Sequence, residues 1–117
     1  MRTFYEFFAG GGMARAGLEN GWNCLFANDF DAKKGLSYAV NWGSDQLHVG
    51  DVAQIKASML PERADLVWAS FPCQDLSLAG VGAGLSGSRS GTFWSFWQLM
   101  KKLGQEGRAP HLILLEH

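Results

Sequence analysis

Residues 68–80, WASFPCQDLSLAG, place Cys73 directly after Pro72, at the end of an apolar run and ahead of a glycine-rich segment. The thiolate is the reactive form of cysteine and a loop with donor amides stabilises it, so Cys73 is a candidate nucleophile; the competing reading is an inert thiol. The other cysteine, Cys24, sits inside an apolar run and reads as a small hydrophobe. The sequence puts none of His48, His111 and His117 beside Cys73, which gives a Cys-His protease pairing no support. With no C-x-x-C pair and no disulfide framework, the expectation is a reducing, cytoplasmic compartment and no bound metal.

A second constellation suits a nucleoside. Gly10, Gly11 and Gly12 let backbone approach a ligand closely, and the amides that open the following helix point to the same place. The G-x-G-x-x-G pattern is met at Gly10 and Gly12 but has Arg15 in its third position, so a plain glycine turn with no ligand stays open. Asp29 falls where an acid accepts from ribose hydroxyls, or else it caps a helix, a task Asp31 can also perform. Phe30 can stack on an adenine face or belong to the core. Asp51, in VGDV, can accept from an exocyclic amine or cap the next helix, and no P-loop lysine is present. Arg89, in SRSGTFW, reads as a solvated loop charge or as a contact to a phosphate or substrate oxygen. Glu116 closes an apolar run where a carboxyl can act as an acid.

These residues need elements to hold them. TFYEFF (3–8) reads as a strand, followed by the glycine turn and a helix over 13–20. NCLFAND (23–29) is a second strand, 31–42 a helix despite Gly35, and LHVGD (47–51) a third strand. Residues 52–60 are expected to form a helix closed by Pro61, and ADLVWAS (64–70) a fourth strand, just past which Cys73 lies. From Gly80 to Gly91 small residues dominate, a loop too long for an ordinary connection. Residues 92–105 then set Phe93, Phe96, Trp97, Met100 and Leu103 at helical spacing, more in keeping with a core stripe than a base-stacking platform, and HLILLE forms a fifth strand.

Strands alternating with helices imply an α/β fold with a parallel sheet, whose ligands collect outside the strand carboxyl ends. The glycine turn and Cys73 both fall there and share one site if strands one and four are neighbours. The 117 residues, 47% hydrophobic and 13% aromatic, argue for one domain with a real core and against disorder. A net charge of −1 leaves little basic surface for phosphates, so a nucleic-acid partner is either absent or met elsewhere.

In this order the residues resemble the cytosine C5 DNA methyltransferases. FFAGGGMARAGL is similar to that family's first motif, NDFD to its second, GDV to its third, SFPCQDLSLAG with RSGTFW to its fourth and catalytic loop, and LILLEH to the start of a Glu-Asn-Val motif. The resemblance implies a Rossmann-like sheet in the order 3-2-1-4-5 that binds S-adenosyl-L-methionine and yields S-adenosyl-L-homocysteine. Phe8, Ala9, Gly10, Gly11, Gly12 and Met13 would line the cofactor with Pro72 nearby, Asp29 would hold the ribose and Phe30 would face the adenine. Asp51 would take the adenine amine and Val52 would flank the ring. Cys73 would add to cytosine C6, Glu116 would hold N3, Pro72 would fix the nucleophile's backbone, and Arg89 would meet the flipped base or its phosphates.

The resemblance also implies duplex DNA as substrate, in a restriction-modification setting. Residues 1–117 correspond to the cofactor and catalytic part, without a target-recognition region, so a second polypeptide or a further C-terminal part is the expected partner. Position 117 is His where the motif has Asn. Three other readings are a tRNA cytosine methyltransferase, a cofactor-binding scaffold without catalysis, and a nicotinamide-binding oxidoreductase domain.

Overall fold

The computed structural model describes residues 2–10, 12–18, 21–71 and 91–116. Aromatic and β-branched runs become strands and the runs between them cross over, giving β1 (Arg2–Phe7), α1 (Met13–Leu18), β2 (Trp22–Asp29), α2 (Ala32–Trp42) and β3 (Leu47–Val49). β4 (Leu66–Ser70), α3 (Gly91–Gln105) and β5 (Leu112–Glu116) follow. The five strands are parallel in the order β3-β2-β1-β4-β5, as expected. β1 is central, pairing Phe7 with Asn28 on one side and with Ala69 on the other.

The core lies on both faces of the sheet. On one, Phe7, Phe26, Val67 and Phe71 pack against Phe96, Leu99, Met100 and Leu103 of α3. On the other, Phe4, Cys24 and Leu66 pack with Tyr38 of α2. Gly35 is what lets α2 sit this close to β3, because a Cβ there would stand 2.6 Å from Val49 Cγ2. Cys24 is buried as expected, which pushes its thiol pKa up.

Two expectations are corrected. Residues 52–60 do not form an α-helix but two 3-10 turns, Val52–Gln54 and Ala57–Met59, separated by extended backbone. The buried positions are Val52, Ile55, Ala57 and Leu60, a spacing that fits short three-residue turns rather than a 3.6-residue period. The carbonyls at the end of this segment are met by Arg108, whose guanidinium donates to Ala57 O at 2.9 Å, Leu60 O at 2.6 Å and Glu62 O at 2.7 Å. In α3, Trp97 is exposed and Leu99 takes its place on the buried face; Trp97 instead stacks on half-buried Phe93, with centroids 6.3 Å apart and planes 6° from parallel.

Arg108 therefore holds the 52–62 segment against the end of α3. Arg108→Met leaves the Leu60 carbonyl without a donor and removes one of two donors at Ala57 O and Glu62 O, which keep Leu60 N–H and Tyr5 Oη. It is expected to lower the unfolding free energy by about 2 kcal/mol, measured by urea denaturation.

Candidate active site

The carboxyl ends of β1, β2 and β3 converge on Asn28 and Asp29, both buried. Ala9 N–H donates to Asn28 O at 2.9 Å, and Gly10 N–H donates to Asp29 Oδ2 at 2.7 Å. From the other side, Gly50 N–H donates to Asp29 O at 2.8 Å. Asn28 Nδ2 donates to the carbonyls of His48 at 2.8 Å and Gly50 at 3.0 Å. Asp29 Oδ1 accepts from Asp31 N–H at 2.8 Å, while Asp31 itself caps α2 by accepting from Lys33 N–H at 2.8 Å. The capping role weighed for Asp29 thus falls to Asp31, and each Asp29 oxygen keeps lone-pair capacity beyond its backbone partner.

The turn after β1 is conformationally special. Phe8 has φ +58°, a value side chains rarely adopt, and Gly10 has φ +56° with open space where a Cβ would stand. Gly12, at φ +89°, lies against α2, so that an added Cβ would collide with the Trp42 indole. Arg15 reinforces that packing: its guanidinium lies 5.2 Å from the Trp42 ring centroid and donates to Tyr38 Oη at 3.0 Å. A residue that departs from the glycine pattern thus serves to anchor α1 on α2.

Beside the turn is a cleft of about 250 Å³ lined by Phe8, Asn28, Phe30, Asp51, Val52 and Thr92. Phe30 is 71% exposed, so it offers a free aromatic face and is not core. Asp51 Oδ1 accepts from Ala53 N–H at 2.9 Å, capping the first 3-10 turn, and its second oxygen has no partner among the described residues. Buried Val52 supplies an apolar wall. A larger groove of about 560 Å³, lined by Lys56, Gln98, Lys102 and Glu106 among others, runs between the 3-10 turns and α3. It lies away from the glycine turn, so the smaller cleft at the strand ends is the candidate site.

Glu6 lies fully buried in β1, close behind the turn, and its Oε1 has no hydrogen-bond partner. Burial pushes its carboxyl pKa up to about 7, against the opposing pull of the Ala14 and Arg15 amides and the Arg15 charge. At the other side of β1, the end of β4 is tied to β5. Phe71 N–H donates to Glu116 O at 2.9 Å and Ser70 Oγ donates to Glu116 Oε1 at 2.8 Å. Phe71 also packs on Phe8, with ring centroids 4.7 Å apart. The residue before Pro72 therefore touches the glycine turn.

Gly11, Pro72, Cys73 and Arg89 lie outside the described residues, as does the 80–90 part of the loop; Met13 opens α1. The structure brings Phe8, Ala9, Gly10, Asp29, Phe30, Asp51 and Val52 together and sets Glu116 at the adjacent strand end. Reading the sequence missed Glu6, Asn28, Ser70 and Thr92. Only Glu6 had a signal, as a lone acid inside the aromatic run FYEFF.

The sheet order, the glycine turn and the acids at the ends of β2 and β3 define the class, a nucleoside-cofactor fold of the methyltransferase type. The same fold occurs in the Schizosaccharomyces pombe Dnmt2 methyltransferase, with a TM-score of 0.72 at 17% identity over 98% of this chain and 33% of that one. Residues 2–117 match the model of the C-5 cytosine-specific DNA methylase family, and the chain belongs to that family. It is 31% identical to the type II methyltransferase M.HpaII of Haemophilus parainfluenzae over 86% of this chain and 28% of that protein. It is also 31% identical to M.BsuFI of Bacillus subtilis over 98% of this chain and 26% of that protein. The chain thus spans about a quarter to a third of the length of these relatives.

The cofactor that family and fold imply is S-adenosyl-L-methionine. The cleft fits its adenosyl half, offering the Phe30 face, the Val52 wall and a free Asp51 oxygen. Among the described residues no His, Cys, Asp or Glu cluster could hold a metal ion, and no helix is long and apolar enough to cross a membrane.

Glu6 predicts a pH dependence. Its folded pKa of about 7 exceeds the ordinary 4.5, so the folded state keeps a proton that the unfolded chain releases across that window. The stability this provides is full below about pH 4.5 and is lost as pH rises through 7. Between pH 4.5 and 8, Glu6→Gln is expected to gain on the order of 2–3 kcal/mol relative to the parent protein. Paired urea denaturations at the two pH values measure this difference.

Proposed function

We propose that this chain carries the cofactor-binding and nucleophile-bearing part of an enzyme that methylates C5 of cytosine in duplex DNA, within a restriction-modification system. The observation that carries this reading is the contact of Phe8 with Phe71, reinforced by the bonds from Phe71 and Ser70 to Glu116. Those contacts put the cofactor turn, the approach to Pro72-Cys73 and a carboxylate at one end of the sheet. Phe8, Ala9, the glycine turn and Met13 line the cofactor, Asp29 holds the ribose, and Asp51, Val52 and Phe30 enclose the adenine.

The cofactor supplies an electrophilic methyl group on a sulfonium. Cytosine C5 is too poor a nucleophile to take it unaided. Cys73 adds as thiolate to C6 while Glu116 holds N3 and favours its protonation, which makes C5 the nucleophilic carbon of an enamine. That carbon would take the methyl group from the bound cofactor, whose sulfur would keep the bonding electrons as S-adenosyl-L-homocysteine. Loss of the C5 proton to a base and expulsion of the Cys73 thiolate restore the aromatic ring. A base buried in a duplex must be flipped out to react this way, and Arg89 meets the flipped base or its phosphates.

Choice of target sequence falls to protein beyond residues 1–117, either a second polypeptide or a further part of the same chain. Three facts support that reading: the fraction of its relatives that the chain spans, its net charge of −1, and the edge strand β5 with Leu112 and Leu115 exposed. These residues alone are then expected to methylate DNA poorly.

The test uses the complete enzyme, DNA containing 5-fluorocytosine, and S-adenosyl-L-methionine. A covalent complex that survives denaturation is expected, and Cys73→Ser should abolish it and lower turnover on ordinary DNA at least about a thousandfold. A complex that persists in Cys73→Ser contradicts the assignment. Modification of tRNA in place of DNA would point to an RNA substrate.

A further inference from the structure

We infer that Asn28 is a specificity-determining positioning residue, which sets the preference for a 6-aminopurine by holding the strand end that carries Asp51. The inference rests on the reading of Asp51 as acceptor for the adenine amine. β3 is only three residues long, and its pairing with β2 ends at Asp29 and Val49. The acid meant to read the purine lies two residues past that end, just beyond a last main-chain bond from Gly50 N–H to Asp29 O at 2.8 Å. Asn28 adds a side-chain grip, since its Nδ2 donates to carbonyls on both sides of Val49, those of His48 and Gly50. The Gly50 carbonyl belongs to the peptide that leads into Asp51.

The amide is retained at a cost. Asn28 is 1% exposed, and its Oδ1 is buried with no partner. An apolar residue of similar volume would fill the position without an orphaned acceptor, and an unsatisfied buried acceptor is destabilising. What an apolar residue cannot supply is the pair of donors. The two bonds fix the amide's orientation, and Asn28 O also accepts from Ala9 N–H. One residue thus couples the wall bearing Asp51 to the turn after β1, while itself lining the cleft.

The coupling decides discrimination as well as affinity. A hydrogen-bonding site rejects an analogue in proportion to how firmly its polar groups are held, because a mobile acceptor turns to water or to another donor. With Asn28 in place, the free Asp51 oxygen is held for an N–H donor and meets repulsion from a 6-oxo group.

Isothermal titration of the complete protein with S-adenosyl-L-homocysteine and with S-inosyl-L-homocysteine tests this directly. The parent protein is expected to prefer the amino form at least about tenfold. Asn28→Ala should reduce that ratio to within about threefold by weakening the amino form selectively, and Asn28→Ser, which keeps one donor, should fall between. If Asn28→Ala does not fold, Asn28→Ser carries the test alone.

Equal weakening of both ligands with the ratio intact, while Asp51→Asn abolishes it, would overturn the role of Asn28 and leave the cleft reading standing. Equal affinities in the parent protein, or a ratio that Asp51→Asn leaves intact, would overturn the cleft reading and this inference together.

Discussion

The pair Asn28–Asp29 at the end of β2 is the constraint on which the site depends. A parallel sheet delivers three strand ends to one edge but does not hold the loops that leave them. Here the two residues engage both neighbouring loops through main chain and side chain, taking Ala9 and Gly10 on the β1 side and His48 and Gly50 on the β3 side. Asp29 must be an acid to accept from the Gly10 amide at one oxygen and the Asp31 amide at the other, and Asn28 must be an amide to donate to two carbonyls. The candidate ligand cleft is the space these bonds leave open.

The same logic extends across β1 to the proposed chemistry. β1 is bracketed by β2 and β4, so the methyl donor proposed over β1–β3 and the nucleophile proposed after β4 would be neighbours by strand order. Phe8 adds a contact to that adjacency, since its left-handed backbone directs the ring onto Phe71. Backbone strain of this kind persists only where packing over-determines it, and it clusters at functional sites. Ser70 of β4 engages one oxygen of Glu116 on β5, and the other has no partner among the described residues.

Much of this was legible in the residues. Strand and helix alternation, the open turn at Gly10 and the placement of Asp29 and Asp51 at strand ends follow from local pattern, because apolar period and glycine placement act over a few residues. The 52–60 segment misled because its Ala, Gln, Lys, Met and Leu residues favour helix up to Pro61, while Val52, Ile55, Ala57 and Leu60 do not keep a helical period and the carbonyls of Ala57 and Leu60 are bound by Arg108, far away in sequence. Trp97 misled because apolar character and helical spacing do not say which flank of a stripe meets the sheet. Glu6 and Asn28 escaped notice since their importance lies in burial and in partners on other strands, which one chain segment does not reveal. Cys73 falls outside the described residues, and its role as nucleophile comes from the resemblance.

On this reading the cleft at the strand ends, and not the larger groove beside α3, receives the adenosyl group. Titrating S-adenosyl-L-homocysteine into isotope-labelled protein and following backbone amide resonances tests it most directly. The largest shifts are expected on Gly10, Phe30, Gly50 and Asp51, with Lys56, Gln98, Lys102 and Glu106 unmoved. Shifts concentrated on those last four residues, with the strand ends unperturbed, would contradict it.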